Sequence, residues 1–171
     1  MIKNIKIISR QWMQGIIEHH NFDFPITHWY CISIYGDEGK LLTPEAITVL
    51  NGLGMVDSIS LDFWDIVRDH TNNFPESILF NKEHAKEIVT FIDVIQKDPI
   101  DSTLVVHCHA GISRSGAIGV FACDYCKTDY NQLMKDNPYI WPNNHILRLL
   151  REEANITPTF DFKSCIPILE R

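Results

Sequence analysis

The stretch VVHCHAGISRSG, residues 105–116, decides how this chain is read. Its two valines close STLVVHC (102–108), an almost wholly apolar run that reads as a short strand at the centre of a covered sheet. From Ser115 the pattern turns helical through Tyr125, so a buried strand delivers Cys108 to a loop that opens a helix. A helix start leaves backbone N–H groups free, and the positive end of the dipole faces them. The loop residues His109, Ala110, Gly111, Ile112 and Ser113 are therefore expected to cradle a tetrahedral dianion such as phosphate. Gly111 lets the backbone approach the anion closely, or take a conformation closed to residues with a β-carbon. Arg114 adds a rigid fork of donors suited to two phosphate oxygens. The same positive surroundings favour Cys108 as a thiolate nucleophile.

Outward from this loop, strands and helices alternate. IKIIS (5–9) reads as a strand, followed by a helix capped by Ser9 with Trp12, Met13, Ile16 and Ile17 on one apolar face. HWYCISIY (28–35) is a strand closed by the turn GDEGK. Thr43 and Pro44 open a helix that should stop by Gly52 or Gly54. MVDSISLDF (55–63) alternates again, with Val56, Ile59, Leu61 and Phe63 as its apolar positions. NKEHAKEIVTFIDVI (81–95) has helical spacing, and Pro99 ends it. Asp129 with Gln132 resembles a capping box, and Asn143 or Asn144 caps a last helix. The expectation is an α/β fold: one domain spanning residues 1–171, with a central, mainly parallel, four- to five-stranded sheet flanked by helices on both faces.

The residues HCHAGISRS (107–115) match His-Cys-x-x-Gly-x-x-Arg-Ser/Thr, so the chain resembles the cysteine-dependent protein tyrosine phosphatases, in particular their dual-specificity branch. The resemblance covers roughly residues 55–150. It implies that Cys108 attacks phosphorus to form a thiophosphate intermediate, while Arg114 and the loop amides hold the equatorial oxygens. Ser115 resembles the hydroxyl that helps the thiolate leave; as a plain residue it would cap the following helix. The family takes the leaving-group proton from an aspartate on a separate loop. Asp65 in SISLDFWDIVRD fits best, with Asp62 and Asp69 as the alternatives. The segment departs from the Trp-Pro-Asp form of the larger tyrosine-specific enzymes. The resemblance implies that His107 is a hydrogen-bonded partner of the loop rather than a general base, and that Asn143, after Pro142, supports the loop from the last helix. Of the aromatics Trp12, Trp29, Tyr30, Trp64, Tyr139 and Trp141, most read as core and Trp64 as a substrate contact.

Composition narrows the function further. Lys and Arg number 15 against 22 Asp and Glu, a net charge of −7, which argues against a nucleic-acid partner or an anionic membrane surface. No apolar run has the length of a membrane span. The five cysteines form no dense framework, so reduced thiols in a cytoplasmic setting are expected. Cys123 and Cys126 read as packed thiols, and Cys31 is a candidate disulfide partner for oxidised Cys108. The implied activity is hydrolysis of phosphomonoesters on phosphotyrosine proteins or peptides, with phosphoserine and phosphothreonine as further substrates, with no metal and no cofactor, blocked by phosphate analogues such as vanadate. Alternatives are a phosphatase of a phosphoinositide, RNA 5′-phosphate or nucleotide, and a pseudophosphatase that only binds phosphorylated partners. The loop carries no lysine for extra phosphates, and the position of Cys108 past mid-chain disfavours the low-molecular-weight phosphatases.

Overall fold

A computed structural model describes residues 1–21, 26–66 and 75–157. Its elements run β1 (Ile2–Ser9), α1 (Arg10–His19), β2 (Trp29–Tyr35), α2 (Pro44–Gly52), β3 (Met55–Asp62), α3 (Lys82–Gln96), β4 (Ser102–Cys108), α4 (Arg114–Cys126), α5 (Tyr130–Asp136) and α6 (Asn144–Glu153), with a 3₁₀ turn at Glu76–Ile78. The four strands form one sheet in the order β1-β4-β2-β3, and every pairing is parallel. The fold is thus the expected α/β sandwich, with four strands among the described residues. The two interior strands are the most apolar: β4 is buried throughout and β2 is buried up to Tyr35.

Strand alternation divides the core in two. Ile8, Trp29, Cys31, Met55 and Val105 face α1 and α2, where Met13, Ile16 and Leu50 cover them. Ile5, Ile7, Ile32, Ile34, Leu61, Leu104, Val106 and Cys108 face the larger cluster under α3, α4 and α6. The helix that follows β2 therefore packs on one face and the helix that follows the neighbouring β4 on the other. In an open parallel sheet, such a switch opens a crevice at the carboxyl ends of the two strands. Cys108 ends β4 at that crevice.

Local chemistry explains the helix starts. Ser9 accepts from Trp12 N, Thr43 from Ala46 N with Pro44 behind it, and Asn143 from His145 N and Ile146 N. Asp129 caps α5 through the amides of Asn131 and Gln132. Asn81 and His84 form a reciprocal capping box at α3.

Three expectations are corrected. Trp12 is not on the buried face of α1; only Met13 and Ile16 are fully buried there. Val56 is exposed, because a register shift between Trp29 and Tyr30 places Met55 inward and leaves Val56 out of the alternation. Cys31 cannot bridge to Cys108. It pairs with Val105, three residues short of Cys108 on the next strand, and it packs on the opposite face of the sheet. That offset puts the two Cα atoms about 10 Å apart, beyond the reach of a disulfide.

No helix is long and apolar enough to cross a membrane among the described residues. One close approach fixes how α4 lies on the sheet: a β-carbon on Gly119 would stand 2.6 Å from Ile7 Cδ1 and 2.9 Å from Ile7 Cγ1. Gly119→Ala is expected to destabilise by about 1–3 kcal/mol through overpacking. That lowers Tm by ~2–4 °C per kcal/mol in thermal unfolding. An unchanged Tm would mean that Ile7 turns aside freely.

Candidate active site

The loop after β4 is held by its carbonyls. His109 O accepts from Arg10 N at 3.0 Å, and Ile112 O accepts from Trp141 N at 3.1 Å. Ser113 O accepts from Asn143 N at 3.2 Å and from Ala117 N at 2.9 Å. No backbone N–H from His109 through Ser113 donates to a described residue. Carbonyls bonded outward and amides left unbonded make a nest for an anion at the mouth of α4. Gly111 has φ +74°, the expected conformation closed to residues with a β-carbon, and a β-carbon there would also meet the backbone of Ile8 and Ser9 at 2.8 Å.

Cys108 is buried, and its Sγ lies 3.1 Å from Ser115 Oγ. Strand alternation turns His107 to the α1 face instead, where neither ring nitrogen has a partner among the described residues. Burial above all, and the charge of Arg10, push the His107 imidazole down to about 3. Its register neighbour Ser33 is likewise buried, with its hydroxyl unpaired among the described residues.

Helix α4 begins at Arg114, one residue before the expected start at Ser115. Ser113 occupies the cap position yet does not cap: its hydroxyl donates to Asp65 Oδ1 at 2.8 Å. Ser115 is thus no cap, and its hydroxyl faces the thiol. Arg114 is 5% exposed, and its Nη1 donates to Tyr35 O at 3.3 Å and Phe63 O at 3.0 Å, the carbonyls at the ends of β2 and the β3 segment. Its Nε is buried without a partner among the described residues.

Asp65 joins this cluster from a distant segment. Besides Ser113, Asn143 Nδ2 donates to the same carboxylate oxygen at 2.9 Å and to Ile66 O at 3.2 Å. Asn143, 1% exposed, uses its whole amide: two donations here and two acceptances at the start of α6. Asp62 ends β3, exposed and with no hydrogen bond to the loop, while Asp69 lies outside the described residues. Trp64 stands beside Gly36, whose added β-carbon would sit 3.2 Å from Trp64 Cδ1 and 3.4 Å from Arg114 Nη1. The expectation that most aromatics are core fails: Trp29 and Tyr30 are buried, but Trp12, Trp64, Tyr139 and Trp141 are exposed.

One neighbour of the loop escaped the sequence reading. Glu38, on the turn after β2, places Oε1 3.2 Å from His109 Nδ1 and 3.6 Å from Arg114 Nη2. The available signal was an acidic turn directly following an interior strand. Among the described residues, no three His, Cys, Asp or Glu side chains are grouped as metal ligands.

No family model matches the chain, and no curated protein matches it. Among solved structures it is similar to Tk-PTP in the active form, at 14% identity over 89% of this chain and 91% of that one, TM-score 0.48. It is similar to PTPMT1 in complex with PI(5)P at 13% identity over 89% and 90%, TM-score 0.44. It is also similar to human tyrosine phosphatase-like serine/threonine/tyrosine-interacting protein, at 19% identity over 86% and 85%, TM-score 0.40.

The buried imidazole carries a pH signature. Unfolded, His107 takes a proton near pH 6.5; folded, only near pH 3. Between those values the unfolded state binds more protons, so this contribution is complete above pH 6.5 and falls as pH drops toward 3. His107→Asn is expected to flatten the decline in urea midpoint between pH 6.5 and 4.5. Asp98, whose carboxyl Tyr30 first and His28 next hold below the usual range, acts only below about pH 4. Parallel slopes for the two proteins would show that His107 reaches water in the fold.

Proposed function

We propose that this chain is a phosphomonoester hydrolase that works through a cysteinyl-phosphate intermediate and acts on phosphotyrosine in proteins or peptides. The observation that carries the reading is the row of unbonded backbone amides from His109 to Ser113, which lies in the chain between the Cys108 thiol and the buried Arg114 guanidinium. Such a nest binds a tetrahedral dianion at the one place where a nucleophile can reach its phosphorus.

In the first step Cys108 Sγ, as thiolate, forms a bond to phosphorus while the bond to the substrate oxygen breaks. The loop amides and Arg114 take the equatorial oxygens of the loose transition state. Arg114 spends Nη1 on Tyr35 O and Phe63 O, which orients the guanidinium; Nε has no partner among the described residues and is the donor proposed for phosphate, with Nη2 to be exchanged from Glu38. Asp65, protonated, gives its proton to the leaving oxygen. Ser113 and Asn143 tether that carboxyl to the rim of the loop, so the acid and the cradle move as one unit. In the second step water attacks phosphorus, Asp65 takes its proton, the sulfur–phosphorus bond breaks, and Ser115 Oγ donates a hydrogen bond to the departing thiolate.

Trp64 is the proposed contact for the phosphotyrosine ring, since it is exposed next to Gly36 and Arg114. The absence of a lysine in the loop speaks against a polyphosphorylated ligand. Cys31, Cys108, Cys123 and Cys126 are all free thiols, in keeping with a reducing, cytoplasmic setting.

Hydrolysis of nitrophenyl phosphate, blocked by vanadate and abolished in Cys108→Ser, is the expected result. Tight phosphopeptide binding without turnover in the unaltered chain would make it a binding module instead. Asp65→Ala should slow turnover of an alkyl phosphate far more than that of nitrophenyl phosphate, whose leaving group needs little protonation; general acid catalysis is worth about 10²–10⁴-fold. Equal losses on both substrates would take the proton-donor role away from Asp65.

A further inference from the structure

Behind the phosphate loop, on the side away from β2, runs a groove of about 460 Å³. One wall is the loop itself, Ala110 to Ile112; the others are the first turn of α1 with Trp12 and the connection from α5 to α6 with Asn137, Pro138 and Tyr139. Three apolar side chains stand open around it: Trp12 is 42% exposed, Ile112 38% and Tyr139 84%. Exposed apolar groups collected on one concavity mark a binding surface rather than scatter. The walls are held in place. Ser9 fixes the amide of Trp12, Ile140 N donates to Asn137 O, and Trp141 N donates to Ile112 O. The groove's one carboxylate, Asp136, is already matched by Lys6 at 2.8 Å and Gln132 at 2.6 Å.

Building on the phosphatase reading, we infer that this groove is a specificity subsite for an apolar side chain of the substrate polypeptide, one or two residues from the phosphorylated one. The phosphate cradle and the groove share Ala110, Gly111 and Ile112, so a chain whose phosphate sits on one side of the loop passes directly over the other. A peptide advances about 3.3–3.6 Å per residue, which makes the first and second flanking positions those in reach. A leucine-sized group buried against Trp12 and Tyr139 is worth roughly tenfold in affinity. A lipid tail is the chemically similar rival, but the net charge of −7 repels the anionic surface that would present it.

The experiment measures binding of phosphotyrosine peptides to the Cys108→Ser chain, with leucine or glycine at each of the two positions on either side. At one of those positions leucine is expected to bind about tenfold more tightly. Trp12→Ala and Tyr139→Ala should each bring that preference below about threefold. Circular dichroism checks that both variants are folded, and the exposure of Tyr139 makes its variant the safer of the two. No leucine preference at any position, or a preference that survives both changes, overturns the subsite while nitrophenyl phosphate turnover keeps the phosphatase reading intact. A short-chain phosphoinositide whose binding depends on Trp12, or a dimer in sedimentation that Trp12→Ala dissociates, overturns it in favour of another occupant. A chain inactive on nitrophenyl phosphate removes both readings together.

Discussion

The site depends on one buried cation. Arg114 lies at the first position of α4, and two of its hydrogen bonds reach back to the carbonyls that end β2 and follow β3. Burying a guanidinium costs several kcal/mol unless its donors are matched. The two carbonyls match Nη1 and Glu38 lies near Nη2, while Nε keeps no partner among the described residues; the matched bonds lock the mouth of the helix to the rim of the sheet. The loop between β4 and α4 is thereby spanned at both ends: Cys108 is fixed by strand pairing and Arg114 by the strand ends. What lies between has little choice of path, and Gly111 is where the path needs a positive φ.

A second constraint binds the acid to the cradle. Asn143 caps α6, donates its side-chain amide to Asp65, and donates its backbone N–H to Ser113 O. Three segments distant in sequence therefore meet at one residue. Asn143 is itself buried, so removing Asp65 would leave one of its donors short of a partner. The loop carbonyls of His109, Ile112 and Ser113 are taken up by Arg10, Trp141 and Asn143, while the loop's backbone amides keep no partner among the described residues. Glu38 completes the rim from the β2 side, close to both His109 and Arg114.

The apolar surroundings of the loop follow from the way these anchors converge. The α5–α6 connection is drawn in through Trp141 and Asn143, and the start of α1 through Arg10. Their aromatic residues are left at the surface, because the core beneath is already filled by Ile7, Ile118, Ile140 and Ile146. Trp12 and Tyr139 thus end beside the loop without taking part in the packing of the sandwich.

Much of this was legible in the linear chain because the relevant forces are local. The apolar run 102–108, the caps Ser9, Thr43, Asp129 and Asn143, and the glycine and arginine spaced from Cys108 are signals carried within a few residues. They determine the parallel strands, the helix starts and the anion nest. Other features arise only where segments meet. Whether Asp65 or Asp62 faces the loop depends on hydrogen bonds from Ser113 and Asn143. The exposure of Trp12 and Val56, against their periodicity, depends on what α1 and a register shift present to the core. Glu38 enters the site because the strand order sets the end of β2 beside that of β4. Periodicity reports which face of an element is apolar; which neighbour fills that face, and which polar group is left to meet it, is decided by long-range packing that no short window contains.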